Sequence, residues 1–113
     1  MHRITAAVDC GTVVNPLTVE AQIQGSVVYA LSALYYGEIS LKEGRVQQQN
    51  FHQYQVLRMH EVPKVDVHII ATGDKMGGIG EVGVPPTFGA VLNGLFTLTG
   101  KRIRTLPFTK SWV

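Results

Sequence analysis

An α+β domain, with two helices packed on a small mixed or antiparallel sheet, is the fold class that the sequence predicts. Three observations predict it. Two stretches, "ITAAVD" at 4–9 and "KVDVHIIA" at 64–71, have the short apolar or alternating character of strands. Two others, 16–36 and 86–100, carry apolar residues at helical spacing. The pieces between them are rich in turn residues and hold no repeat or low-complexity tract. A sheet face and a helix stripe each need an apolar partner, and layering one on the other satisfies both. At 113 residues the chain makes a single domain, 1–113, without an internal linker.

The first strand, 4–9, runs into the turn "CGTVVNP". Asn15-Pro16 then has the form of a helix start, with Asn as the N-cap and Pro at the first helical position. Val19, Ile23, Val27, Leu31 and Leu34 follow along one helical stripe, and Gly37 caps the end. Glu20 is the only charged residue between 16 and 36, and Gln22, Ser26 and Tyr29 form a second, polar face. So little charge around the circumference marks a helix covered on more than one side. A chain of this size has too little protein to cover it, so a partner should lie against it, or the isolated chain should form a homo-oligomer.

Next, "GEISLKEGRVQQQ" reads as a β-hairpin in which Ile39 and Leu41 alternate with polar residues around the turn "KEGR". Residues 50–63 show no clean period and read as irregular or partly helical. In the strand 64–71, Val65, Val67 and Ile69 point one way and Asp66 and His68 the other. Helix 86–100 turns Phe88, Val91, Leu92, Leu95 and Phe96 inward and closes at Gly100. "RIRTLPF" reads as a short extended piece at the end. The predicted order is β, α, β, β, β, α, β.

Composition excludes several functions. Charged residues make up 16% of the chain, against about 25% in an average globular protein. The net charge is only +2, with basic residues gathered at Lys101, Arg102, Arg104 and Lys110, which argues against a nucleic-acid partner. The single cysteine, Cys10, can make neither an internal disulfide nor an iron–sulfur or four-cysteine zinc site, and reads as a buried structural thiol. No uncharged apolar run is long enough for a membrane span. "MHRITAAVDC" does not read as a signal peptide, which leaves cytoplasm and periplasm both open. His2, His52, His60 and His68 lack metal-ligand spacing and read as surface or strand-face residues. Ser26 has no nucleophile-elbow context.

The stretch that stands out is "GGIGEVGVPP", 77–86, with Glu81 among four glycines. Composition alone leaves two readings: a soluble surface turn, or a carboxylate on a bare ledge that a ligand can approach closely. The loop lacks the Gly-Lys-Ser/Thr of a phosphate loop, and a carboxylate there would repel phosphate. A general base suits it better, because exclusion of water makes a carboxylate a stronger proton acceptor.

Three stretches together resemble a known family. "VDCGTVVNPLTVEAQIQGSVVYALSALYYGEI", "GRVQQQNFHQYQVLRMHEVPKVDVHII" and "GGIGEVGVPP…GAVLNGLFTLTGKRIRTLP" look like the C-terminal end of the molybdopterin-binding subunit of the molybdenum hydroxylases. The similarity is greatest to the isoquinoline 1-oxidoreductase type, with xanthine dehydrogenases and aldehyde oxidases as more distant kin. The resemblance implies that Glu81, in "GIGE", is the catalytic base beside the molybdenum. It implies that Gln22, in "QIQG", contacts the pterin, and that Gly78 and Gly80 let the backbone approach the metal centre. It implies hydroxylation of N-heterocycles or aldehydes with water-derived oxygen, and a molybdopterin cofactor in its cytosine dinucleotide form. The implied partners are the remainder of the molybdopterin-binding subunit and a separate 2Fe-2S subunit. Family subunits are several times longer, so the chain is expected to be an excised domain, a truncated product or one piece of a split subunit, inactive and free of cofactor by itself. The competing expectation is a stand-alone oligomerising interaction domain that keeps the fold without the chemistry.

Overall fold

The structure, a computed structural model, describes residues 1–73 and 75–111. Its regular elements are β1 (Arg3–Val8), α1 (Pro16–Tyr36), β2 (Leu41–Lys42), β3 (Arg45–Val46), β4 (Lys64–Ile69) and α2 (Val84–Thr99), with 3₁₀ turns at Phe51–Gln53, Met59–Glu61 and Phe108–Ser111. The fold is α+β, as expected, but its strands form two separate pairs. β1 and β4 pair in parallel, Arg3 opposite Lys64 and Val8 opposite Ile69, while β2 and β3 form a two-residue antiparallel ladder.

Local chemistry explains the helix ends. The Asn15 side chain accepts hydrogen bonds from the Leu17 and Thr18 amides, at 3.1 and 3.4 Å, so the first turn of α1 leaves few donors free. Gly37 ends α1 with a negative φ of −63°; glycine is needed there because a Cβ would lie 2.8 Å from the Ala33 backbone. Gly100 ends α2 in the left-handed conformation, φ 69°, that glycine adopts without strain.

α1 is the spine. Val27, Leu31 and Leu34 are almost completely buried and gather Leu57 and Val91 around them. A second cluster, Val8, Cys10, Val19 and Ile23, lies at the N-terminal half of α1 and takes in Ile79 from the glycine loop. Cys10 is a buried free thiol, and all four histidines are exposed. On the open side of the parallel pair, Asp66 pairs with Arg3 and, at 2.9 Å, with Lys64. Those contacts, with the Lys64 hydrogen bond foremost, hold its carboxyl below the ordinary carboxylate range. They also separate two like charges that face each other across the ladder.

Two expectations need correction. The hairpin ladder begins at Leu41, so Ile39 lies outside it. The chain end is not extended: residues 102–108 form no strand, and the 3₁₀ turn at Phe108–Ser111 brings Phe108 edge-on to Tyr35, centroids 5.0 Å apart. Burial of an aromatic ring on α1 outweighs the weak preference for extended backbone around Ile103. Among the described residues no helix is long and apolar enough to cross a membrane.

Candidate functional site

The 77–83 loop lies between β4 and α2, leads directly into α2, and is fastened to both β1 and α1. The Gly77 amide donates to the Cys10 carbonyl at 2.9 Å. Ile79, half-buried, packs against the cluster formed by Val8, Cys10, Val19 and Ile23. Gly83 lies against Ser26 and Ile23: a Cβ at Gly83 would stand 2.8 Å from the Ser26 Cβ. Glu81 projects between these anchors and is exposed. Its carbonyl accepts the Val84 amide at 3.0 Å, closing the turn on which the carboxylate stands. Gly83 lies on Ser26, one helical turn past Gln22, which brings the Glu81 turn against α1.

Gln22 is exposed, and among the described residues its amide has no partner. It belongs to an exposed stripe of Thr18, Gln22, Gly25 and Tyr29, with no charge on it. Ser26 departs from the polar face expected for it: it is only 5% exposed, and its hydroxyl is unpartnered. Gly78 and Gly80 have open space where a Cβ would be, and neither has positive φ. Neither needs to be glycine for the sake of this chain's own backbone or packing.

Crevices of about 250 and 220 Å³ flank the loop. The first is lined by β1 together with Val82, Gly83 and Thr87, the second by Cys10, Asn15, Met76 and Ile79. Both are mostly apolar, and no Lys or Arg lines either. The first turn of α2 offers few anion-binding donors. Pro85 and Pro86 have no N–H, and the Val84 N–H is already bonded to Glu81. Among the described residues no three His, Cys, Asp or Glu side chains cluster as metal ligands. The arrangement can therefore offer a proton acceptor, a neutral amide and close backbone approach, but not the countercharge for a polyanion.

The loop stands out in the sequence by its glycines. In the sequence Ser26 reads as part of a polar face and as a serine without nucleophile-elbow context, because nothing local reveals that Gly83, 57 residues later, packs on it.

Comparison with known proteins gives the family. Residues 1–63 match the family described as "Molybdopterin cofactor-binding domain". The chain is 35% identical over 107 residues to isoquinoline 1-oxidoreductase subunit beta of Brevundimonas diminuta, covering 95% of this chain and 14% of that protein. It is 30% identical over 106 residues to a Gluconacetobacter polyoxogenes protein named membrane-bound aldehyde dehydrogenase [pyrroloquinoline-quinone], covering 94% and 14%. Among solved structures it superposes on quinoline 2-oxidoreductase of Pseudomonas putida 86 with a TM-score of 0.81 at 25% identity, covering 92% of this chain and 14% of that one. The chain thus spans about one-seventh of the length of these relatives. With its family match over residues 1–63 and this degree of identity along nearly all of its length, the chain belongs to the molybdopterin cofactor-binding domains of the molybdenum hydroxylase family.

Proposed function

We propose that this chain forms the cofactor-side domain of a molybdenum hydroxylase acting on N-heterocycles or aldehydes, with Glu81 as the general base and Gln22 as a contact to the pterin. The observation that carries the reading is the exposed Glu81 carboxylate, on a turn fastened at both ends and packed through Gly83 against α1, the helix that bears Gln22. When bound, the molybdenum cofactor supplies the two-electron oxidation. Glu81 accepts a proton on a carboxylate oxygen. Gln22 offers both an amide donor and an amide acceptor to a flat heterocycle. Gly78 and Gly80 keep the ledge bare, which the open space over both supports. The residues fit such a group along one edge.

The lack of cationic lining and the proline-filled entry to α2 support a further part of the proposal. The cofactor's dinucleotide portion, in the cytosine form, is held by the remainder of the molybdopterin-binding subunit, and a separate 2Fe-2S subunit takes the electrons. By itself, this chain is then inactive and free of cofactor. A few neutral contacts do not offset the cost of immobilising a large polyanion.

Metal analysis with cofactor extraction, on the chain alone and on the chain with the rest of its subunit, tests the reading. Molybdenum and a pterin should appear only in the second sample. Stoichiometric molybdenum in the isolated chain would defeat the division of labour, and a quinone in place of the pterin would defeat the cofactor assignment. The second reading is an oligomerising interaction domain without catalysis. The uncharged stripe on α1 and the 75% exposure of Leu17 favour it. It expects light scattering to give a defined oligomer, and no activity when the rest of a subunit is supplied.

A further inference from the structure

Ser26 is the one described residue whose buried side-chain polar atom has no hydrogen-bond partner. It is 5% exposed, between Ile23 and Val27 on the inner part of α1. Its neighbour is Gly83, where a Cβ would meet the Ser26 Cβ at 2.8 Å and its Oγ at 3.3 Å. Gly83 has φ −77° and ψ −15°, a conformation open to any residue, so glycine serves there only to let the chain come close to Ser26. The Gly83 carbonyl accepts the buried Thr87 hydroxyl at 2.7 Å, which ties that point rigidly to the first turn of α2. Two residues back stands Glu81, joined to the same turn through the Val84 amide.

We propose that the contact of Ser26 with Gly83 is the device that sets the position of the Glu81 carboxylate, making Ser26 a positioning residue. The small side chain on α1 and the missing side chain on the turn together fix how far the turn stands off the helix. A bulkier group on either side pushes the turn outward and carries Glu81 with it. The catalytic consequence rests on Glu81 being the base; the steric key itself does not.

The test uses the enzyme that contains this domain, with two readouts. Amide hydrogen exchange at Val84 reports closure of the Glu81 turn, and kcat and KM report placement of the base. Gly83→Ala should speed Val84 exchange about tenfold or more and lower kcat about tenfold or more, with KM within about threefold, since a misplacement near 1 Å can cost two orders of magnitude. Adding Ser26→Gly removes both clashing atoms and should return both readouts to within about threefold of the Ser26→Gly single variant. Ser26→Thr, which intrudes by one methyl from the helix side, should reproduce the pattern more weakly, and it carries the test if Gly83→Ala does not fold.

A general loss of stability would leave kcat per loaded enzyme unchanged, so a kcat that falls with Gly83→Ala and returns in the double variant separates positioning from stability. Gly83→Ala with unchanged Val84 exchange, or a double variant no better than Gly83→Ala, overturns the proposal. If Val84 exchange responds and is rescued while Glu81→Gln keeps its rate, the steric key stands and the assignment of Glu81 as base falls.

Discussion

The hairpin turn at 42–45 and the loop at 77–83 each set a glutamate beside glycine, and they use the glycine for different reasons. In the hairpin, Glu43 and Gly44 have φ of 51° and 75°, the left-handed pair that a tight two-residue turn demands. Gly44 has open space around it, so its role is entirely conformational. In the loop, Gly78 and Gly80 need no positive φ and touch nothing, whereas Gly83 answers to packing against Ser26. One turn is explained from within the chain. The other contains two glycines that nothing within the chain requires, and the proposed close approach of a cofactor would account for them.

The strongest way to break the comparison is to neutralise each glutamate in the complete enzyme. Glu81→Gln keeps the shape and removes the proton acceptor, so kcat should fall by about 10²–10⁴, with a smaller change in KM. Glu43→Gln, on the hairpin turn, should leave kcat within about twofold. Steady-state kinetics normalised to molybdenum content measures both. If Glu81→Gln retains more than about a tenth of the rate, short of even the low end of base catalysis, the two turns are alike and 77–83 is an ordinary loop.

A second contrast concerns the sign of a stability change. Gly44→Ala adds strain of about 1–2 kcal/mol at positive φ, against about 0.4–1 kcal/mol gained by stiffening the unfolded chain, so roughly 1 kcal/mol should be lost. Gly78→Ala meets neither strain nor contact and should gain about 0.4–1 kcal/mol in the chain alone. In the complete enzyme, under the proposed approach of the cofactor to Gly78, the same methyl should intrude and molybdenum content should fall. Denaturant midpoints and metal analysis give the two halves. A Gly78→Ala enzyme with full molybdenum content would show that the bare ledge is not needed.

Sequence alone reached some of this and not the rest, for physical reasons. α1 was legible to its ends because Asn15, Pro16 and Gly37 act within a few residues of where they stand. The pairing of β1 with β4 was not legible as parallel, since their partners are some sixty positions apart and no local pattern records direction. The extended reading of the chain end failed because a tertiary contact, Phe108 on Tyr35, decides it. The glycine loop drew attention to Glu81 by composition. Which of its glycines is a packing requirement emerged only once Gly83 was seen against Ser26.

The smallest expected effect separates a partnered glutamate from an unpartnered one. Glu61 accepts the Tyr36 hydroxyl and the Arg58 amide, the latter at 2.7 Å. The Tyr36 bond, then the Arg58 bond, hold the Glu61 carboxyl below its ordinary range. The same bond, with burial second, raises the Tyr36 phenol above its ordinary value of 10.0. A depressed carboxyl contributes stability above its unfolded pKa, and loses it as pH falls through the folded value. A raised phenol contributes while it stays protonated, and loses that contribution as pH climbs past its unfolded value toward the folded one. Tyr36→Phe should therefore cost a small, nearly constant amount across neutral pH, because solvent screens a pair that is only half-buried. The gap from wild type should close in acid, below the usual carboxylate range, and again in alkali above the tyrosine value. Urea midpoints at a series of pH values measure it. A gap that stays constant into acid would mean that the lost hydroxyl acts otherwise than through the ionised Glu61 carboxylate, since Phe keeps the ring that packs against Tyr35, centroids 5.9 Å apart.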